Sequence, residues 1–183
     1  MQCPKCHSSK LHPTKLEKGL SAMGCGECEG ALVALLYYRD WAERTPQSEL
    51  ESSEDETTLK AFIGTAEESQ SAMSCPKCSR VMLKYKISGE SDNKLDLCAS
   101  CDEAWLDKGE WHLLKLLELD TRMPLVFTEQ WQTKLRKQAT QDARDNRLLR
   151  YVGEDDLAMV RTFKDWLSAH KHKEQILFYL NQD

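Results

Sequence analysis

Cys75-Pro76-Lys77-Cys78 and Cys98-Ala99-Ser100-Cys101 decide the fold that the sequence predicts. Each segment places two cysteines three positions apart, and 19 residues separate Cys78 from Cys98. Two thiolates on one tight turn can bind a single metal ion, and two such turns joined by a hairpin of about 20 residues complete a tetrahedron of sulfur ligands. This stretch therefore predicts a four-cysteine metal site on a β-hairpin.

The same arrangement occurs once more near the N-terminus. Cys3-Pro4-Lys5-Cys6 is identical to Cys75-Pro76-Lys77-Cys78 and lies 72 positions before it, and 18 residues separate Cys6 from Cys25. A proline directly after the first cysteine pre-sets the backbone for the turn. The chain is therefore an internal duplication. Its predicted metal ligands are Cys3, Cys6, Cys25, Cys28, Cys75, Cys78, Cys98 and Cys101.

Zinc is the metal that four thiolates favour, and we expect two Zn²⁺ ions per chain with structural roles. Four sulfur ligands close the tetrahedron, whereas catalytic zinc keeps one position open for water. Three other uses of the cysteines remain open: disulfides in an oxidising compartment, a thioredoxin-like redox pair, and rubredoxin-like iron held by the same sulfurs. His7 and His12 lie near the first site, but four cysteines already saturate it, so we expect both on the surface.

Local patterns supply the predicted hairpin and helix of the second site. Apolar residues alternate along residues 81–87 and again at Leu95 and Leu97, which is typical of two strands. Asp107 and Glu110 have the spacing of a capping box. The residues that follow carry an apolar helical stripe that includes Trp111, Leu114 and Leu117.

The cysteine pairs and the segment Trp105-Leu106-Asp107-Lys108-Gly109-Glu110 resemble the bacterial transcription-factor-IIB-type zinc-finger domain. In that family two Cys-x-x-Cys knuckles precede a Trp-Leu-Asp-x-Gly-Glu signature. The resemblance covers residues 75–120 and implies a zinc ribbon followed by a helix. We expect Trp105 to pack over its own hairpin. In the first copy, Gly30-Ala31-Leu32-Val33-Ala34 stands where the signature would be.

The predicted fold is a small metal-bound α+β protein with four regions. Residues 1–44 and 73–120 are the two zinc ribbons, each a β-hairpin with zinc knuckles followed by a helix. Residues 45–72 are acidic: residues 46–72 carry seven acids against Lys60 alone, which indicates a flexible linker with a short helix over 59–72. We therefore expect each ribbon to fold independently.

Residues 121–183 are predicted to be helical. Residues 128–150 have the pattern of one long polar helix capped by Thr128, and residues 156–180 that of a helical hairpin. Seven bases and three acids lie within residues 121–152. We expect these bases to form a solvated helix face, although they could also face phosphates.

Composition narrows the function classes. The net charge is −5. The sequence contains no run of 18 or more apolar residues, so we expect no membrane span. The N-terminus lacks a secretory pattern, so we expect a cytoplasmic protein. We find no Ser/His/Asp set, phosphate loop or open metal site, which argues against an enzyme.

The function we expect is that of a non-enzymatic zinc-binding adaptor, associated with transcription, that contacts a protein partner or nucleic acid. Net acidity places protein partners above nucleic acid. The alternative is a redox- or metal-responsive thiol protein that releases zinc on oxidation. The sequence does not indicate an oligomeric state.

Overall fold

The computed structural model describes residues 1–45 and 71–182. Within them the fold is α+β, as predicted, with six strands in one antiparallel sheet. The strands are β1 (His12–Glu17), β2 (Leu20–Gly24), β3 (Ala31–Ala34), β4 (Leu83–Lys86), β5 (Lys94–Cys98) and β6 (Glu103–Leu106). The helices of the described residues are α1 (Leu35–Arg44), α2 (Glu110–Leu116), a 3₁₀ helix (Met123–Phe127), α3 (Glu129–Val152), α4 (Glu154–Ser168) and α5 (Lys173–Leu180). The predicted linker lies almost wholly outside the described residues, as does most of its short helix.

The two cysteine modules share one sheet. Its strand order is β1-β2-β3-β6-β5-β4, with β3 antiparallel to β6 at the centre. Residues Met1–Leu135 accordingly form one compact unit. The two ribbons are therefore halves of one sheet and not separate units, a pairing that the sequence did not predict. Strands β3 and β6 each complete their backbone hydrogen bonds with a strand of the other module, so neither becomes an unpaired sheet edge.

The register of the central strands reveals a pseudo-two-fold relation. Leu32 lies opposite Trp105, and these residues are 73 positions apart, as are Cys28 and Cys101. The same shift carries the pair Ala31–Leu106 onto the pair Ala104–Val33. The pseudo-axis therefore passes between Leu32 and Trp105, and each duplicated half supplies one half of the sheet.

Alternate residues of the central strands face two different apolar clusters. Leu32 and Trp105 belong to the cluster that contains the cysteines. Ala31, Val33, Ala104 and Leu106 belong to the larger cluster, which the helices cover. Because side chains alternate across a strand, one face of the sheet carries the cysteine groups and the other carries the helices.

Aromatic and polar contacts join the helices of the two modules. The rings of Trp41 on α1 and Trp111 on α2 are 5.7 Å apart in an edge arrangement. The buried Tyr38 hydroxyl donates to the carbonyl of Asp120 at 2.6 Å and accepts from the amide of Met123 at 2.8 Å. These contacts anchor the first module to the segment that follows α2.

Strand β4 confirms the predicted hairpin but shows a different buried face at its start. Met82 is buried, whereas Val81 and Leu83 are exposed. Met82 packs in the cysteine cluster, and the amide of Met82 donates to the carbonyl of Met73 at 2.9 Å. The sequence pattern counted apolar residues and did not reveal that the cysteine side of the sheet also needs a cover.

The C-terminal helices match the predicted boundaries closely. The hydroxyl of Thr128 accepts from the amide of Trp131 at 3.2 Å, which is the predicted cap of α3. A second compact unit begins at Arg136, within α3, and includes α4 and α5. Among the described helices, none is long and apolar enough to cross a membrane.

Candidate metal centres

Each group of four cysteines converges on one point. Within each group the ligand atoms all lie within 4.8 Å of one another. Sγ–Sγ distances are 3.6 Å for Cys3–Cys28 and 3.5 Å for both Cys6–Cys25 and Cys78–Cys98. A tetrahedron with Zn–S bonds near 2.3 Å has edges of about 3.8 Å, whereas bonded sulfurs lie about 2.05 Å apart. The spacing thus fits four thiolates around one ion, and all eight cysteines are free thiols.

All four Cys-x-x-Cys turns share a backbone feature. The residue after the second cysteine adopts positive φ in every case: 54° at His7, 56° at Glu29, 62° at Ser79 and 55° at Asp102. In three turns the amide of this residue donates to the carbonyl of the first cysteine, at 2.8 to 3.2 Å. Non-glycine residues adopt this conformation at a cost. Its fourfold repetition shows that the turns are built to direct two sulfurs at one point.

Hydroxyl groups near the first site were missed by sequence reasoning. The hydroxyl of Ser8 donates to the sulfur of Cys6 at 3.1 Å, and the hydroxyl of Ser9 lies 2.9 Å from the sulfur of Cys25. Donors to sulfur stabilise the thiolate over the thiol. The hydrogen bond from Ser8 lowers the pKa of Cys6 to about 5. A serine after a Cys-x-x-Cys turn is a recognisable signal for such a donor.

Thiol pKa values differ within each cluster. Burial raises the pKa of Cys28 in the first site and of Cys75 in the second. The amide of Arg80 lowers the pKa of Cys78 to about 7, and the hydrogen bond with Cys78 raises the pKa of Cys101 to about 12. Four negative charges this close repel one another. Full ionisation of each cluster therefore needs a cation among the sulfurs.

Trp105 belongs to the apolar cluster that contains cysteines of both metal-binding groups, and it contacts both modules. It is completely buried in the cluster that includes Cys3, Cys25, Cys75 and Cys98. A β-carbon added to Gly30 would lie 2.3 Å from Cζ2 of Trp105. The indole therefore packs closely against the first module, a contact that the expectation of packing over its own hairpin did not include.

The signature residues form a buried polar network. The indole N–H of Trp105 donates to the carboxylate of Asp107 at 2.9 Å, and the amide of Asp107 donates to the carboxylate of Glu110 at 2.8 Å. Nζ of Lys5, in a turn of the first module, lies 3.2 Å from the same Asp107 carboxylate. Side-chain Nδ2 of Asn93 donates to Glu110 at 3.4 Å. The network ties the first metal turn to the start of α2.

Glu110 forms its half of the predicted capping box. The Glu110 carboxylate accepts from the amide of Asp107, as expected. The residue before α2 is Gly109, with φ of 87°. The carboxylate of Asp107 binds Trp105 and Lys5. Asp107 thus serves contact between modules as well as the start of a helix.

The two histidines near the first site lie outside the sulfur clusters. His7 and His12 are both exposed, and neither belongs to a group of potential ligands among the described residues. Each group therefore offers four sulfur ligands and no nitrogen ligand, a donor set that suits zinc or iron.

No protein-family model, curated protein or solved structure matches this chain. The two four-cysteine clusters are compatible with zinc binding. What the chain does must therefore be inferred from the chemistry of its own residues.

Proposed function

We propose that the chain is a zinc-binding adaptor without catalytic activity, in which two zinc ions hold a shared sheet that presents surfaces to a protein partner. The observation that carries the proposal is the pair of four-sulfur clusters within one apolar cluster around Leu32 and Trp105. Zinc accepts four thiolates in a tetrahedron and has no redox chemistry of its own. Four protein ligands leave no position for substrate, which supports a structural role for both ions.

Membership of the transcription-factor-IIB-type zinc-finger family is part of the proposal. Buried hydrogen bonds among Trp105, Asp107 and Glu110 give these three signature residues a structural role. They join the second metal turn to a helix, which is what the resemblance implies.

Surfaces of the first unit support a protein partner. Leu36 and Tyr37 are more than 60% exposed at the start of α1, and Val81 and Leu83 are more than 50% exposed at the edge strand. Each pair of exposed apolar side chains offers a surface that a protein partner could cover. Net charge of −5 weakens attraction to phosphates. Protein partners therefore rank above nucleic acid.

Zinc content and its pH dependence test the metal assignment. We expect two zinc ions per chain by elemental analysis, and progressive release as pH falls, because each ligating sulfur must lose its proton and acid returns it. Raised pKa values at Cys28 and Cys75 favour this competition from protons. Two iron atoms, or one zinc or none, would contradict the assignment.

Oxidation of the same zinc-loaded preparation tests the alternative function, that of a thiol protein that releases zinc on oxidation. Cys6 and Cys78 are only half-buried, and this partial exposure favours the alternative. Zinc loss in mild peroxide at neutral pH, coupled to a change in partner binding, would favour this alternative. Retention of both ions would favour the adaptor.

The ranking of partners has its own test. The triple variant Arg144→Ala/Arg147→Ala/Arg150→Ala removes exposed bases of α3, and Leu36→Asp/Tyr37→Asp changes the exposed start of α1. We expect a protein captured by the zinc-loaded chain to be lost with the second variant and kept with the first. Salt-sensitive binding to duplex DNA that disappears in the triple variant would reverse the ranking.

A further inference from the structure

The C-terminal unit buries few of its apolar side chains and leaves most of them exposed. Of the described residues from Arg136 onward, the buried apolar ones are Leu157 and Leu167. In α5, Leu177, Phe178, Tyr179 and Leu180 are all between 45% and 76% exposed. Units of fewer than about 60 residues bury too little surface to be more than marginally stable. Apolar area of this extent indicates that another surface covers it.

Two opposite sides of helix α4 differ in their contacts. One side faces α3: Arg161 Nη2 lies 2.8 Å from the Asp145 carboxylate, and Lys164 donates to Gln141 at 2.9 Å. The opposite side carries Met159, Phe163 and Trp166, and His170 lies two residues beyond the end of the helix.

The spacing on this second side is that of a helix-pairing seam. Steps of four and three residues place Met159, Phe163 and Trp166 along one line of the helix, and the ring of His170, beyond the helix end, packs against Trp166. Phe163 and Trp166 rings lie 5.5 Å apart, and Trp166 and His170 rings 4.9 Å apart. Met159, Phe163 and Trp166 are 66%, 43% and 51% exposed. The seam is thus continuous and open to a second helix.

Charges at the two ends of α4 have opposite signs. The first turn contains Glu154, Asp155 and Asp156. The segment that follows α4 contains Lys171 and Lys173 among His170, His172 and the acid Glu174. In an antiparallel pair of such helices the acidic end of each lies beside the basic end of the other, and the helix dipoles also oppose favourably. A parallel pair would place like charges together.

We propose that this seam binds the same seam of a second copy of the chain, with the two α4 helices antiparallel about a two-fold axis between Phe163 and Trp166. Phe163 of each copy then lies opposite Trp166 of the other, Met159 lies opposite His170, and the acidic first turn lies near Lys171 and Lys173. A two-fold interface must be self-complementary. This seam meets that condition because its apolar centre is flanked by one acidic and one basic end.

The mass of the full-length, zinc-loaded chain in solution tests the proposal. Sedimentation equilibrium is expected to show a concentration-dependent dimer. Phe163→Asp places two charges beside the axis of each dimer and is expected to weaken dimerisation by about thirtyfold or more, as for a central interface residue. Ala158→Asp is the matched control, because Ala158 is exposed on α4 away from the seam and should change dimerisation by less than about threefold. Zinc content and helical circular dichroism should match the unaltered chain in both variants.

Charge exchange tests the antiparallel arrangement separately. Asp155→Lys/Asp156→Lys makes both ends of the seam basic, and Lys171→Glu/Lys173→Glu makes both ends acidic. Each variant alone is expected to be mostly monomeric, because both contacts of its own dimer repel. An equimolar mixture is expected to form a heterodimer, since each basic end then meets an acidic one. Differently tagged chains report this by co-purification.

Three results would overturn the proposal. A wild-type chain that stays monomeric to several hundred micromolar would show that the seam is covered by something else, such as another protein. A dimer that survives Phe163→Asp would place the interface elsewhere. Monomeric charge variants that do not pair when mixed would exclude the antiparallel register.

Discussion

Replacing Cys98 with serine is expected to release zinc from both sites, not only from the site that loses a ligand. Cys98 ends β5, which pairs with β6, and β6 pairs with β3 of the first module. Structural zinc contributes an apparent 10–16 kcal/mol in small peptides, which exceeds or equals the stability of a typical domain at about 5–15 kcal/mol. Loss of the second site therefore removes the strand on which the first module completes its sheet. Elemental analysis after gel filtration should find nearly no zinc.

The exposed residue Ser100 supplies the control for this variant. It lies in the same turn, between Cys98 and Cys101, and is not a potential ligand. Ser100→Ala should keep two zinc ions per chain and an unchanged thermal transition. A Cys98→Ser chain that retains one zinc ion and a folded first module would show that the modules are independent despite the shared sheet.

The convergence of the cysteines and the local elements could be predicted from sequence because their signals are local. The Cys-x-x-Cys turns, the hairpin of the second module, the capped start of α3 and the break between α4 and α5 each depend on residues within about one hairpin of one another. Thr128 is one example, since a hydroxyl before an amphipathic run predicts a cap.

The association of the modules could not be predicted in this way. Ala31–Ala34 is four residues long, and it pairs with a strand some 70 positions later. A segment that is apolar on both faces has no period-two pattern, so neither its strand character nor its partner is visible locally. The contacts of Lys5 with Asp107 and of Tyr38 with Asp120 depend on that same pairing. The sequence therefore predicted the local elements but not the pairing of β3 with β6.

The contact between the two modules leaves very little space for a side chain at Gly30. An added β-carbon would lie 2.3 Å from Cζ2 and 2.9 Å from Cε2 of Trp105, and 3.1 Å from the carbonyl of Leu106. Gly89, in the loop after β4, would have no atom within 4 Å of an added β-carbon. Neither residue has positive φ. Alanine is therefore compatible with the φ angle at both positions, and the difference between them reports close packing at Gly30, mainly against Trp105.

Gly30→Ala is expected to lower the free energy of unfolding by about 3 kcal/mol, the upper part of the range for overpacked cores. Gly89→Ala should change it by less than about 0.5 kcal/mol, as for most surface substitutions. Denaturant unfolding of the zinc-loaded chain measures both effects.

The decisive comparison places Gly30→Ala in a chain that carries Trp105→Leu. Leucine is the residue that the pseudo-two-fold relation places at the equivalent position, Leu32, and it lacks the ring atoms that the added β-carbon would meet. Trp105→Leu alone should cost about 2–4 kcal/mol through the cavity it leaves. In that background Gly30→Ala should cost at least about 1 kcal/mol less than in the unaltered chain, a coupling within the range for residues in contact. Equal costs in the two backgrounds would mean that Leu106, and not the indole, limits the space at Gly30, and that the two modules do not depend on Trp105 for their close approach.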